Sequence, residues 1–339
     1  MTSRAAAFVL LSSLSVTSLG CTPLPRPAVR SDFVVAESNI KGTVVGVDTK
    51  TGKPAFRLPA DGWADAPPMV DGRVFLHGEQ GVAARDLSTG ALAWRQLVQS
   101  PYRTNVVVGV ESVFVPVTRG KRQAWVGLSQ AHGLPTFELA CDRWAPLAST
   151  GDFVFTLDHH HLSAAGGAGG KQRWTSKEEL HAPVVAGGTR VLARVSDTEV
   201  TVFEGTSGDV VRRVDLGTDD PLGTSFSRAL SLDFDGDHIA GITDGGVSVF
   251  DVSTAKRKWA TPDVDASQVT IAGDLVVVVA DGTLKAFDLA SGHSRWTAGV
   301  VDADVVSMTS GGGLFAARMS DGRVVVFDGA GKRKLAFDL

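Results

Sequence analysis

Residues 158–161 and 233–237 contain residue types that commonly bind metal ions. Asp158-His159-His160-His161 joins an acid to three imidazoles, and imidazole is a frequent ligand of zinc and copper. Successive residues of a strand point to opposite faces of a sheet, so three neighbouring histidines do not converge on one ion. We therefore interpret this run as a hairpin turn.

The second run, Asp233-Phe234-Asp235-Gly236-Asp237, has the acidic spacing that begins a calcium loop, but the Glu that completes an EF-hand is missing. Asp-Gly pairs also suit hairpin turns, as at Asp71-Gly72 and Asp321-Gly322, and we interpret this run as a turn as well. The glycine-rich residues 166–171 are followed by neither Ser nor Thr and fail as a phosphate loop. We therefore predict no catalytic residue, no metal and no cofactor.

The amino-terminal residues indicate export. Arg4 precedes an uncharged run from Ala5 to Leu19 that is short for a membrane span and typical of a signal peptide, assigned to residues 1–20. The chain has two cysteines, Cys21 and Cys141, which is too few for a disulfide scaffold.

Ser18-Leu19-Gly20-Cys21 resembles the lipobox of bacterial lipoproteins, which implies lipidation of Cys21, although Ser18 stands where that family usually has Leu. Ordinary cleavage after Gly20 is the alternative. Residues 21–30 contain three alternate prolines, which favour a stiff tether. By the same resemblance, Thr22 in place of Asp implies the outer membrane, with the chain facing the periplasm.

The rest of the chain repeats one motif eight times. Each copy has a strand of alternating apolar residues, a turn and a second short strand, and copies follow one another at a mean spacing of about 40 residues. The residues that end the first of these strands are Asp48, Asp86, Ser129, Gly166, Glu204, Asp251, Asp288 and Asp328. Short strands at this period predict an all-β propeller.

A net charge of −4 argues against a protein that coats nucleic acid.

An aromatic residue follows the turn in six of the eight copies. These residues are Phe56, Trp94, Phe137, Trp174, Trp259 and Trp296, whereas Arg212 and Leu335 occupy the place in copies five and eight. We predict that the rings wedge between adjacent blades, where one ring can bury 150–250 Å². A row of rings that stack on a ligand is the alternative.

The pattern D-x-x-T-G-x-x-x-W, present at 86–94 and nearly so at 288–296, resembles the repeat of the quinoprotein (PQQ-type) propellers. The resemblance covers residues 31–339 and implies an eight-bladed β-propeller of four-stranded PQQ-like repeats. The enzymes of this family are larger, and several carry an adjacent cysteine pair beside the quinone, which this chain lacks.

The exported, lipid-anchored and enzyme-free branch of that family, the BamB lipoproteins, is the most similar. That resemblance implies a monomeric, non-catalytic scaffold whose protein partner is the outer-membrane β-barrel insertase, with no nucleic acid bound and only a lipid anchor in the membrane. Two alternatives remain: a quinoprotein-type enzyme or small-ligand sensor that uses the propeller channel, and a surface-exposed binding module.

The two longest intervals between copies are candidate partner loops, because loops on a rigid scaffold often carry recognition. The candidate residues are Tyr102, Arg103, Arg119 and Arg122 in the first interval and Leu222, Phe226 and Arg228 in the second. Solvated insertions without a partner are the alternative.

Overall fold

The computed structural model describes residues 28–30, 32–38, 43–59, 67–78, 81–98, 106–109, 111–119, 122–141, 147–150, 153–166, 170–196, 198–217, 232–243, 246–262, 264–299 and 303–339. They form eight antiparallel sheets of four strands each, and the strands of each sheet pair in chain order. The predicted all-β, eight-bladed propeller is confirmed. Within these ranges no helix is long and apolar enough to span a membrane.

Each sheet is one blade. Blades 1 to 4 consist of β1 (Ala28–Val29), β2 (Phe33–Ser38), β3 (Thr43–Asp48), β4 (Pro54–Pro59); β5 (Met69–Val70), β6 (Arg73–Gly78), β7 (Gly81–Asp86), β8 (Leu92–Gln96); β9 (Val107–Val108), β10 (Ser112–Arg119), β11 (Arg122–Ser129), β12 (Pro135–Cys141); β13 (Leu147–Thr150), β14 (Phe153–Asp158), β15 (His161–Gly166) and β16 (Lys171–Thr175). The first strand lies within residues 21–30, the range that the sequence assigned to the tether.

Blades 5 to 8 consist of β17 (His181–Gly187), β18 (Arg190–Arg194), β19 (Glu199–Glu204), β20 (Val210–Asp215); β21 (Leu232–Phe234), β22 (His238–Thr243), β23 (Gly246–Asp251), β24 (Lys256–Pro262); β25 (Ala266–Ala272), β26 (Leu275–Ala280), β27 (Thr283–Asp288), β28 (Ser294–Ala298); β29 (Val305–Gly311), β30 (Leu314–Met319), β31 (Arg323–Asp328) and β32 (Arg333–Asp338).

The turn between the third and fourth strands of a blade, called the outer turn below, shows how the repeat folds locally. In blade 6 the Asp251 carboxylate accepts hydrogen bonds from the Ser253 hydroxyl at 2.6 Å and the Thr254 amide at 2.8 Å. These bonds stabilise the charged form and lower the pKa of Asp251 to about 2. The corresponding turns of Asp48, Asp86 and Asp288 also lower the pKa of those carboxyls.

The antiparallel order gives the ring two different faces. The outer turns and the turns between first and second strands lie on one face, called the outer-turn face. The turns between second and third strands and the connections from blade to blade lie on the other, called the connection face. This alternation follows from four consecutive antiparallel strands per blade.

The core lies between neighbouring blades, and the same packing closes the ring. Val34 and Val45 of blade 1 share a buried cluster with Val326 of blade 8. Buried Arg318 on β30 donates to the Glu37 carbonyl on β2 at 2.8 Å, and burial lowers the pKa of this arginine. Within the described ranges no strand of the last blade pairs with the first, so packing closes the ring without strand exchange.

Candidate functional site

The aromatic residue of the repeat lies against the outer turn of the next blade. The ring of Trp94 on β8 covers Gly133 in blade 3, and its indole nitrogen donates to the Gln130 carbonyl at 2.7 Å. Gly133 has a φ of 70°, and a Cβ there would overlap the indole. Because the ring packs on the glycine of the next blade and donates a hydrogen bond to the same turn, it joins the two blades.

The same contact recurs in six of the eight junctions. The pairs are Phe56 on Gly90, Trp94 on Gly133, Phe137 on Gly170, Trp174 on Gly208, Trp259 on Gly292 and Trp296 on Gly331. The indoles of Trp174, Trp259 and Trp296 donate to carbonyls of the next blade at 2.9 Å in each case.

The histidine run forms the predicted hairpin turn. Asp158 ends β14 and pairs with His161, which begins β15, and the two intervening histidines have φ of 46° and 65°. The His160 ring contacts the His181 ring of blade 5, with centroids 4.9 Å apart. Sequence reasoning missed this pair because the two residues belong to different repeats.

The acidic run 233–237 also forms the predicted turn, and its carboxylates have separate partners. Asp235 accepts from the His238 amide at 2.7 Å, and Asp237 binds Arg190 of blade 5 at 2.9 Å. Asp233 instead accepts from the Ile271 amide of blade 7 at 2.7 Å. Among the residues described by the structure, no group of three His, Cys, Asp or Glu is placed to share one metal ion.

Side-chain hydrogen bonds connect the first strands of three neighbouring blades. The Thr270 hydroxyl of blade 7 donates to Asp233 of blade 6 at 3.0 Å and lies 3.0 Å from the Ser310 hydroxyl of blade 8. Burial raises the pKa of Asp233, and its hydrogen bonds oppose that shift. No local sequence signal marks these residues, because each comes from a different repeat.

A groove of about 800 Å³ lies between blades 7 and 8 on the outer-turn face. Leu275, Trp296 and Phe315 supply its apolar lining, and Arg295 lines it as well. That arginine is paired with Asp274 at 3.1 Å and Asp288 at 3.0 Å. The groove therefore combines an apolar lining with a neutralised cation.

Most of the predicted binding residues lie outside the described ranges. These are Cys21, Tyr102, Arg103, Leu222, Phe226 and Arg228. The backbones of Arg119 and Arg122 are opposite each other in the register of β10 and β11, at the end of that hairpin. The described ends of the β10–β11 hairpin lie on the connection face, as do the end of β8 and the end of β20, which precede the other candidate residues in the chain.

Comparison with known proteins identifies the family. The family model described as outer membrane protein assembly factor BamB matches residues 14–133 and 122–267, which is more than half of the chain. The chain belongs to the BamB family. The resemblance expected from the repeat is thereby confirmed, and no match was found among curated proteins.

Solved structures show that the BamB-type propeller fold is shared more widely. BamB from Moraxella catarrhalis is 18% identical, with a TM-score of 0.66, 89% of this chain covered and 93% of that one. The computationally designed Ika8 protein is 16% identical, with a TM-score of 0.65 and coverages of 90% and 96%. Dihydro-heme d1 dehydrogenase NirN is 14% identical, with a TM-score of 0.70 and coverages of 93% and 75%. At these identities the likeness shows the fold alone.

Proposed function

We propose that this chain is a non-catalytic scaffold lipoprotein of the periplasm that assists the assembly and insertion of β-barrel proteins into the outer membrane through protein–protein contacts. The observation that carries the proposal is the match of the BamB family model to most of the chain. The eight-bladed architecture that it shares with a solved BamB supports it.

The topology supports one face as the partner surface. The candidate residues Tyr102 and Arg103 fall in the connection between blades 2 and 3, and Leu222, Phe226 and Arg228 fall in the connection between blades 5 and 6. Arg119 and Arg122 flank a turn on the same connection face. We propose that this face binds the β-barrel insertase, because aromatic and arginine side chains are frequent anchors of interfaces.

The amino terminus supplies the anchor in this proposal. Residues 1–20 would be removed as a signal peptide, Cys21 would carry the lipid, and residues 22–27 would connect it to the first strand of the propeller. Replacement of Cys21 by Ser tests this step. We expect the variant to lose incorporation of labelled fatty acid and to leave the membrane fraction, whereas unchanged labelling would contradict lipidation at Cys21.

Crosslinking of the lipidated protein in cells, followed by pull-down, tests the partner. We expect recovery of the insertase, and reduced levels of inserted barrel proteins in a deletion strain. The charge-reversal variant R119E/R122E should lower the recovery, whereas K332E on the outer-turn face serves as the matched control. No recovery together with normal barrel insertion would overturn the proposal. Quinone-dependent oxidation by the purified protein would favour the enzymatic alternative.

A further inference from the structure

Two Lys-Arg-Lys runs lie on the rim of the propeller, at the start of the fourth strands of blades 6 and 8. First strands of neighbouring blades contact one another, so they surround the centre of the ring and the fourth strands form its outer rim. The runs are Lys256-Arg257-Lys258 and Lys332-Arg333-Lys334, and all six residues are exposed. Blade 7, which lies between them, has Arg295 at the place of Lys258.

These six cations are not neutralised by neighbouring acids. In the part of the chain that the structure describes, none of them forms an ion pair. Lys258 Nζ lies 3.3 Å from Nε2 of His238. Arg295 differs, because it has the two acid partners described above. The outer-turn carboxylates are engaged by their own turns, as Asp251 is by the Thr254 amide at 2.8 Å.

Such runs are not a general feature of the fourth strands. In blades 2 and 3 these strands, β8 and β12, contain one cation and one acid between them. Exposed Leu92 and Leu134 occupy places that hold Arg257 and Lys256 in blade 6. Charged residues on edge strands also prevent pairing with other chains, but the edge strands of blades 2 and 3 lack such runs. Because the whole chain has a net charge of −4, the two runs are a local concentration of positive charge.

The amino terminus enters the ring beside blade 8. Strand β1 of blade 1 contacts β29 and β30 of that blade. Residues 22–27 separate Cys21 from Ala28, and this length of chain spans at most about 25 Å when fully extended. A lipid on Cys21, which is part of the proposed function, therefore keeps blade 1 and the neighbouring blade 8 close to the bilayer.

We infer that the rim of blades 6 to 8 binds the anionic phospholipid headgroups of the membrane that holds the anchor. Lys and Arg side chains close to an anionic lipid surface are attracted to it within about a Debye length, which is about 8 Å at physiological salt. Long side chains on an edge strand reach the headgroups while the backbone stays paired in its sheet. Membrane contact through the rim leaves the connection face free for a protein partner.

Sedimentation with lipid vesicles tests the inference. The protein is the mature chain, residues 21–339, with Cys21→Ser, so that no lipid anchor contributes to binding. We expect it to bind vesicles of phosphatidylcholine with about one third phosphatidylglycerol and not vesicles of phosphatidylcholine alone. Binding should be lost at about 0.5 M NaCl, because salt screens the attraction. Fatty-acid labelling and insertase recovery report separately on the proposed function.

Charge reversal locates the binding surface. K256E/K258E and K332E/K334E should each lower the partition onto the anionic vesicles by more than about tenfold. K171E/K177E makes the same charge change at two exposed lysines in and just after the fourth strand of blade 4, across the ring from blade 8, and should bind as the unreversed chain does. Circular dichroism checks that all three variants are folded. The inference is overturned if the anionic lipid does not increase binding, if either rim variant retains full binding, or if K171E/K177E loses as much.

Discussion

The junction between blades 2 and 3 and the junction between blades 8 and 1 use the same backbone with different side chains. Gly133 and Gly52 occupy the same place in their outer turns, with φ of 70° and 69°. The Trp94 indole covers Gly133, whereas no atom lies within 4 Å of a Cβ built on Gly52. The repeat has Leu335 where the ring would be.

The junction between blades 5 and 6 extends this comparison. Its ring position is the exposed Arg212, and its outer turn has Ala255 with a φ of 55° in place of glycine. The only non-glycine residue among the eight equivalent turn positions therefore occurs where the preceding blade supplies no ring. Two physical factors favour glycine at this position. The left-handed backbone disfavours a side chain in all eight turns, and overlap of a Cβ with the ring of the preceding blade disfavours it in six.

The largest expected effect is the loss of a ring. Trp94→Ala removes a buried indole and its hydrogen bond to Gln130, and should lower the free energy of unfolding by about 3–5 kcal/mol. Leu335→Ala at the ring-free junction removes a half-buried side chain and should cost about 1 kcal/mol. Urea unfolding followed by circular dichroism measures both. Equal losses would show that the ring adds nothing to the junction.

The two glycines separate backbone strain from ring overlap. Gly52→Ala should cost only the left-handed strain of about 1–2 kcal/mol. Gly133→Ala should cost that amount plus about 1–3 kcal/mol for overlap with the indole. In a Trp94→Ala background the penalty of Gly133→Ala should fall to that of Gly52→Ala. A penalty that is independent of Trp94 would contradict the overlap argument.

A ring can also be introduced at a junction that lacks one. Arg212→Trp alone should bring the indole against the Cβ of Ala255, and the double variant with Ala255→Gly should relieve that contact. We expect a favourable coupling of about 0.5–3 kcal/mol in the double-mutant cycle. Thermal unfolding of the four proteins measures it, and strictly additive effects would count against a shared contact.

The outer turns at both ring-free junctions have an Asp cap, Asp48 and Asp251, whereas three of the ring-covered turns have Ser129, Gly166 or Glu204 instead. The pKa of Asp251 in the folded chain is about 2, below the ordinary 3.8. Its contribution to stability is therefore complete above pH 3.8 and is lost as the pH falls towards 2.

Carbon NMR of the Asp251 carboxyl should show a titration midpoint near 2. Ser253→Ala removes the hydrogen bond that contributes most to this shift and should move the midpoint upward, whereas Lys332→Ala in another blade should leave it unchanged. A midpoint at the ordinary value in the wild type would show that the cap does not hold the carboxylate.

Much of the fold was predictable because each repeat contains the alternating apolar residues and turn residues that specify its own strands and turns. One repeat motif spans only nine residues, from Asp86 through Gly90 to Trp94. The first two residues form the outer turn, and the third lies on the strand that follows it. The hairpin at His159-His160 and the turn at Asp235-Gly236 were read correctly for the same reason. The Gly–ring pairing was harder to see, since Trp94 meets Gly133 rather than the glycine of its own turn.

The sequence by itself determined the eight repeats, their strands and their turns, because the period-2 alternation and turn residues act over a few residues. Only the tertiary structure decided what meets between blades: His160 with His181, Thr270 with Asp233, and blade 8 with blade 1. Residues in these contacts are about 20 to 300 positions apart, and the closed ring, not any local pattern, brings them within reach of one another.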